Sequence, residues 1–320
     1  MPKSITAELQ DFESLSNVSD VQIVVGPLKR AFAARSSSTI AKAASLVAKF
    51  KVHALEYDMS TAFEHFLGAG ARSDNLCSAK LAIVKALRAI HSEERGLYVL
   101  GMQHYWPSRP RPGQRDQAAG LRIACAEALA DIGHIDLLMH LADLLGDPTP
   151  GVRVAAARAL SSTGEREAKS LLRLKVRCGD AASEVTDACF AALLNHDAKS
   201  AIPFIGEFLA AEDEKLRILA ALALGQSEHQ DALDHLTACW KRLSTMDSRS
   251  DILVAVALLR YPRAVDFLLS LIDDGGEDAE GAVQALASFK ADPQTRRKVE
   301  SAVNRADEPS LRRCFEARFR

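Results

Sequence analysis

The most unusual stretch of the chain, residues 104–117, reads HYWPSRPRPGQRDQ. Its prolines keep the backbone extended and lower the entropy lost when it becomes ordered. Aromatic rings and guanidinium groups can together stack on and pair with a phosphate, a carboxylate or a peptide. The pattern therefore indicates a partner-binding loop, although an ordinary surface loop with its tryptophan packed onto nearby helices would explain it too. The candidate binding residues are Tyr105, Trp106, Arg109, Arg111 and Arg115.

A second candidate is a basic stripe within residues 169–177. Lys169, Arg173 and Arg177 are four residues apart, so in a helix they share one face. A cationic helix face could bind an acidic partner, and a simple solvated face would carry the same residues. Both interpretations remain open from the sequence alone.

Recognised motifs for catalysis or metal binding are missing from the sequence. It contains no HExxH, no GxxxxGK[ST] and no GxSxG, and its six cysteines and nine histidines show no metal-ligand spacing. We therefore predict that the protein is not an enzyme and that it holds neither a metal nor another cofactor. The histidines are expected to be structural or on the surface.

The composition favours a helical protein. Hydrophobic residues make up 48% of the 320 residues but aromatics only 6%, so alanine and leucine must carry the core. The net charge of −2 gives no overall basic field to attract nucleic acid. The N-terminus is polar, no apolar segment is long enough for a bilayer, and the cysteines are dispersed. These features predict a cytoplasmic protein that does not contact a membrane.

A repeat organises most of the chain, and its clearest copy is Asp147–Gly164, DPTPGVRVAAARALSSTG. Alanine-rich segments recur with one leucine at a matching position, separated by intervals of 41, 42, 31, 33, 31, 34 and 28 residues. A period near thirty is typical of stacked helical hairpins. We call these positions the marker leucines: Leu46, Leu87, Leu129, Leu160, Leu193, Leu224, Leu258 and Leu286.

A cation precedes the marker leucine by seven residues in several copies, at Lys80, Arg122, Arg153 and Arg217. Such cations are expected to pair with acids in the preceding turns, for example Asp147 or Asp213. Later copies place Thr186, Asp251 and Ala279 at this position, so the series of cations is expected to be interrupted.

The motif DP-x-P-x-VR-x-AAA-x-AL-x-x-x-G closely resembles the HEAT repeat, in the short bacterial form first associated with phycobilin lyases. The resemblance implies an all-α fold, an α-solenoid in which about 7–8 HEAT-type helical hairpins form a right-handed superhelix. It also implies that the second helix of each pair, here the helix of the basic stripe, lines a concave groove. We expect a polar leader at 1–19, a continuous solenoid over 20–320, the extended loop at 104–117 and a C-terminal cap helix near 308–319.

HEAT repeats build scaffolds, lyase subunits and DNA-repair enzymes, so the resemblance is weak evidence for function. The function predicted is a non-enzymatic scaffold or adaptor that binds a protein or peptide through the concave groove and the 104–117 loop. The alternatives are a nucleic-acid-binding HEAT-like protein, including a DNA-glycosylase-like one, and a lyase-type enzyme subunit. The sequence leaves the oligomeric state open.

Overall fold

A computed structural model describes residues 21–106, 115–133 and 135–319. Over these residues the backbone forms α-helices, short 3₁₀ turns and loops, with no β-strand. The predicted all-α fold is confirmed. Among the helices of the described ranges, none is both long enough and apolar enough to cross a membrane.

The chain divides into two compact units, and the N-terminal unit ends at Ala168. Its helices alternate between alanine-rich helices that carry the marker leucines and partner helices richer in large apolar residues. Their bounds are α1 Val21–Ala33, α2 Ser37–Phe50, α3 Glu56–Leu67, α4 Ser78–Ala89, α5 Arg95–Met102, α6 Ala119–Asp131, α7 Leu137–Leu145 and α8 Pro150–Ser162.

The C-terminal unit begins at Lys169, inside the helix α9. Its helices are α9 Arg166–Cys178, α10 Ser183–Glu207, α11 Glu214–Gln226, α12 Ala232–Arg242, α13 Met246–Leu258, α14 Pro262–Asp274, α15 Ala279–Leu286, α16 Pro293–Ala306 and α17 Pro309–Phe319. Asp197 has extended backbone angles inside α10 and divides the helix in two. We call residues 183–196, which contain Leu193, the marker arm, and residues 198–207 the partner arm.

Within each unit the marker helices pack against one another in chain order: α2, α4, α6 and α8 in the first, and α10, α11, α13, α15 and α17 in the second. Small residues make this possible, because a short side chain lets two helix backbones approach closely. Ala156 and Ala220, four residues before their marker leucines, are fully buried. The partner helices form a second layer, with α14 against α16 and α1 against α3. The solenoid architecture follows from these two layers.

The repeat register predicted for α13 was wrong. Leu258 is only half-buried, whereas the buried residues of α13 are Ile252, Leu253, Ala255, Val256 and Ala257. The same spacing of buried residues occurs 32 residues earlier in α11, where the marker is Leu224. Val256 is therefore the marker of this copy. Arg249, seven residues before Val256, occupies the position of the repeated cation that we had assigned to Asp251.

Helix α1 runs through both Gly26 and Pro27, although a Gly-Pro pair ordinarily marks a turn or a loop. The proline leaves the carbonyl of Ile23 without its usual N–H donor. The residue that carries this carbonyl, Ile23, is exposed.

The remaining domain predictions are not decided by these helices. The leader predicted at 1–19 lies outside the described residues. The continuity of the solenoid over 20–320 and its right-handed superhelix stay predictions. The segment 308–319, expected to cap the chain, contains α17.

Candidate functional site

The repeated cation makes the same kind of contact in four copies: it reaches the residue six positions before it, in the turn that precedes its helix. Lys80 Nζ lies 3.0 Å from the carboxylate of Asp74, and both side chains are almost fully buried. Arg153 donates to the carbonyl of Asp147 at 2.6 Å, and Arg217 to that of Ala211 at 3.1 Å. The cation thus ties the marker helix to its own entry turn.

Arg122 is the fourth case and the most elaborate one. Its guanidinium is fully buried and pairs with Asp116 at 2.6 Å, six residues earlier. It also pairs with Asp147 through two hydrogen bonds of 2.8 and 3.0 Å, and donates to the carbonyl of His104 at 3.0 Å. We call Asp116, Arg122 and Asp147 the buried triad. Because it joins three segments of chain, it fixes where the 104–117 loop leaves and re-enters the helical stack.

Burial and neighbouring charges shift the pKa values of two groups in this region. Burial disfavours the charged guanidinium of Arg122, but the hydrogen bonds and charges of Asp147 and Asp116 outweigh it and raise its pKa. The pKa of His104 is lowered, first by burial and then by the positive charge of Lys80. His104 is therefore favoured in its neutral form.

The base of the loop is closed by hydrogen bonds. The carboxylate of Asp116 accepts from the backbone N–H of Trp106 at 3.1 Å and from that of Ala118 at 2.9 Å. The N–H of Gln117 donates to the carbonyl of Trp106 at 2.8 Å. The residues on either side of 107–114 are thus held together, and the same carboxyl group that pairs with Arg122 holds them.

The predicted binding residues of the loop are only partly available to a partner. The ring of Tyr105 lies 4.2 Å from the guanidinium of Arg122, and its hydroxyl donates to Asp147 at 3.3 Å, yet 39% of the residue is exposed. Trp106 is half-buried and stacks on His104, with ring centroids 6.4 Å apart. Arg115 is exposed. Arg109 and Arg111 lie outside the described residues.

The basic stripe is largely neutralised by the partner arm of α10. Lys169 pairs with Asp197 at 3.0 Å, and Arg177 pairs with Glu207. The hydrogen bond from Ser200 and the contact with Lys169 lower the pKa of Asp197 to about 2, so its carboxylate stays charged at neutral pH. Arg173 instead stacks over the Phe204 ring at 4.1 Å. The stripe therefore fastens α9 to α10 and leaves one of its three cations without an acidic partner among the described residues.

Sequence reasoning missed Asp116 as the residue that organises the loop base. The signal was present, because an acid stands six residues before the repeated cation in three copies: Asp74 before Lys80, Asp116 before Arg122 and Asp147 before Arg153. The expectation that Asp213 pairs with a repeated cation was wrong; its side chain accepts from the N–H of Lys215 at the start of α11. The described residues contain no group of three or more His, Cys, Asp or Glu that could hold a metal ion.

Comparison with protein families agrees with this geometry. A family model for HEAT repeats matches residues 114–175 and 202–287. The chain is a HEAT-repeat protein. The matched ranges include the buried triad and two residues of the basic stripe, Lys169 and Arg173. Among curated proteins, no relative matches this chain.

The solved structures similar to this HEAT-repeat chain include the following three. The complex of CpcE and CpcF of phycocyanin lyase from Nostoc sp. PCC7120 matches with 18% identity, 71% of this chain, 88% of that chain and a TM-score of 0.36. Human deoxyhypusine hydroxylase in complex with glycerol matches with 18% identity, 76% and 89% coverage and a TM-score of 0.30. An engineered protein matches with 16% identity, 98% of both chains and a TM-score of 0.33. Similarities at this level carry no argument about function or partners.

Proposed function

We propose that this HEAT-repeat protein is a non-enzymatic scaffold or adaptor that binds a protein or peptide partner through the concave groove and the 104–117 loop. The observation that supports the loop's role most directly is its anchored base. Asp116 joins both sides of the segment 107–114 and pairs with the buried Arg122. A loop with fixed ends loses less entropy when a partner orders it. Its exposed Tyr105 ring and Arg115 are of types enriched at protein interfaces.

The alternative of nucleic-acid binding receives less support from the stripe. Two of its three cations, Lys169 and Arg177, already pair with carboxylates. A polyanion would have to displace Asp197 and Glu207 to use them. We also propose a cytoplasmic location, for which the support is that all six cysteines, each in a described part of the chain, are free thiols.

The test is a quantitative pull-down in which residues 107–114 are replaced by a Gly-Ser linker of the same length. We expect the wild-type protein to retain a partner at fixed stoichiometry, measured by size exclusion with light scattering. We expect the linker variant and Trp106→Ala to bind the partner about tenfold or more weakly, because aromatic side chains often dominate interface energies. Tyr57→Ala is the matched control, since Tyr57 is an aromatic residue of α3 that is 80% exposed.

Two results would overturn the proposal. One is the absence of any stoichiometric partner in cells that express the protein at its normal level. The other is a partner that binds the wild type, the linker variant and Trp106→Ala equally well. Thermal melts of all variants must coincide with the wild type within a few degrees, so that loss of binding is not loss of folding.

A further inference from the structure

The exposed face of the marker helices α2 and α4 carries no acidic residue. The stretches 35–55 and 75–91, which contain both helices, hold seven Lys or Arg and no Asp or Glu. The whole chain has 42 acidic residues against 40 Lys and Arg, so this separation of charge is local. A surface of one sign attracts partners of the opposite sign and repels the others.

The exposed residues of α2 and α4 form one continuous surface. The buried residues of the two helices have the same spacing forty residues apart, from Thr39 and Ala79 to Val47 and Leu87. Val47, rather than Leu46, is therefore the equivalent of Leu87. Because the two helices pack directly against each other, their equivalent exposed positions lie side by side. We call this surface the lysine face; it contains Ser38, Lys42, Ser45 and Lys49 of α2 with Ser78 and Lys85 of α4.

The other cations of α4 are neutralised within the fold. Lys80 is buried against Asp74 at 3.0 Å, and Arg88 pairs with both Glu127 and Asp131 of α6. The two carboxylates of α6 exceed the single charge of Arg88. The surface of the marker helices therefore changes sign where α6 begins.

The lysines of the face keep their charge. Lys42 and Lys85 are exposed and form no ion pair with a described carboxylate. Lys49 is exposed and lies 5.4 Å from the Phe50 ring, a contact that does not alter its charge. Lys51 donates to a carbonyl at the last turn of α4 at 2.7 Å and so fastens the two helices at one end of the face.

Neighbouring acids do not cancel this charge. The other acids on helices that pack against α2 and α4 are Glu56, Asp58 and Glu64 of α3, in the partner layer. Asp58 pairs with Lys29 of α1. Over residues 21–91 ten Lys or Arg stand against four Asp or Glu, and adding the two acids of α6 still leaves ten against six.

The positions of the lysines suit an α-helix. Lys42 and Lys49 are seven residues apart, which is two turns or about 10.5 Å along α2. Lys85 is the equivalent of Ser45, so it stands between them along the layer, on a helix about 8–10 Å away. Carboxylates at i, i+4 and i+7 share one face of a helix and have matching separations. Ser45 is small, which lets the backbone of a docked helix approach.

A nucleic acid fits the lysine face less well than an acidic helix. A duplex is a continuous polyanion, and where it crosses the marker helices it meets the excess carboxylate charge of Glu127 and Asp131 on α6, which repels it. A helix that follows the axes of α2 and α4 stays over the two acid-free helices. The charge pattern therefore favours a short acidic element over a polymer of phosphates.

We propose that the lysine face docks an acidic α-helix of a protein partner, with two carboxylates seven residues apart at Lys42 and Lys49 and a third between them at Lys85. This goes beyond the proposed scaffold function, because it adds a binding surface on the marker helices, outside the 104–117 loop and the predicted groove of the partner helices.

The experiment measures fluorescence anisotropy of four labelled probes with the full chain. The first is an alanine-rich helical peptide of about 20 residues with glutamates at i, i+4 and i+7. The second replaces these glutamates with glutamine, the third places the same three glutamates on different faces of the helix, and the fourth is a short DNA duplex. We expect the first peptide to bind saturably and most tightly, and to bind severalfold more weakly when the salt rises from about 50 to 300 mM.

Charge reversal identifies the surface that binds. We expect Lys42→Glu combined with Lys85→Glu to weaken binding of the first peptide by about tenfold or more, because two attractions become repulsions. Lys298→Glu is the matched control, since Lys298 is an exposed lysine on the helix α16 of the C-terminal unit. It should leave the affinity within about twofold of the wild type.

Four results would overturn the proposal. They are binding of the glutamine peptide or of the peptide with dispersed glutamates as tight as that of the first, tighter binding of the duplex, equal losses in the double variant and in Lys298→Glu, and no binding of the first peptide at millimolar concentration. Circular-dichroism melts confirm that the double variant is folded, and the comparison of probes on the wild type does not depend on it. The peptides do not involve the 104–117 loop, so their failure counts against the lysine face alone, and failure of the pull-down counts against the scaffold function.

Discussion

Replacing Gly225 with alanine tests the close approach of α11 and α13. Gly225 lies within α11 and is buried. A Cβ added there would stand 2.3 Å from the carbonyl oxygen of Ala255 and 3.1 Å from its Cα. Carbon atoms pack best at about 3.5–4.0 Å, so the methyl group overlaps the neighbouring helix. The obstructing atoms belong to the backbone and cannot rotate away.

Two effects of opposite sign determine how Gly225→Ala changes the free energy of unfolding. Alanine is favoured over glycine inside a helix by about 0.5–1 kcal/mol. Overpacking a close contact costs about 1–3 kcal/mol, and a contact with rigid backbone belongs in the upper part of that range. The net expectation is a loss of about 1–2 kcal/mol in the free energy of unfolding, which lowers Tm by roughly 2–8 °C for a folded unit of this size.

Gly96→Ala is the matched control, because a Cβ at Gly96 of α5 meets nothing within 4 Å. We expect this variant to melt at the wild-type temperature or slightly above it. The assay is differential scanning calorimetry, with urea unfolding followed by circular dichroism to give the free energy. If Gly225→Ala proves as stable as Gly96→Ala, the register that sets Gly225 against Ala255 is incorrect.

Three further outcomes can be checked on the same preparations. Asp147→Ala should reduce the free energy of unfolding by about 3–5 kcal/mol in urea, because it removes one of two carboxylates from the fully buried Arg122, whereas Glu93→Ala, at an exposed pair with Arg95, should cost less than about 1 kcal/mol. His104 has a lowered pKa, so the unfolded chain takes up a proton that the folded chain resists, and stability should fall as pH drops below about 6.5; urea midpoints at pH 7.5 and 5.5 should differ less in His104→Gln. A thiol reagent should modify the exposed Cys178 first, and mass spectrometry of the native protein would show another site if this is wrong.

The helices were predictable because alanine and leucine recur at a period that only stacked hairpins satisfy. The exception is the repeat register of α13. The segment ILVAVALL at 252–259, which runs from α13 one residue past its end, is apolar at every position, so a leucine alone does not identify the buried face. The cation is the better guide there, because Arg249 stands at the position of Arg217 once Val256 is taken as the marker. A register built on both residue types would have been correct.

In the candidate sites, only the features that depend on residue spacing within one helix were predictable from the sequence. Spacing by four placed Lys169, Arg173 and Arg177 on one helix face, but the acids that neutralise two of them lie 28 and 30 residues further along the chain. Likewise Asp147 is 25 residues from Arg122. Which carboxylate pairs with which cation depends on how neighbouring hairpins stack. The sequence alone does not give the distances between side chains of different hairpins.

The loop at 104–117 is an insertion into an intact repeat. Arg122 pairs with the residue six positions before it, as Lys80 does, so the entry turn of α6 keeps the contact found in regular copies. The extra residues therefore lie before Asp116, between α5 and that turn. Lengthening a closed loop costs little entropy, about 0.6 kcal/mol for each doubling. Asp116 fixes the two sides of this segment through the N–H groups of Trp106 and Ala118, and fixed ends on a repeat scaffold are a property that a recognition loop requires.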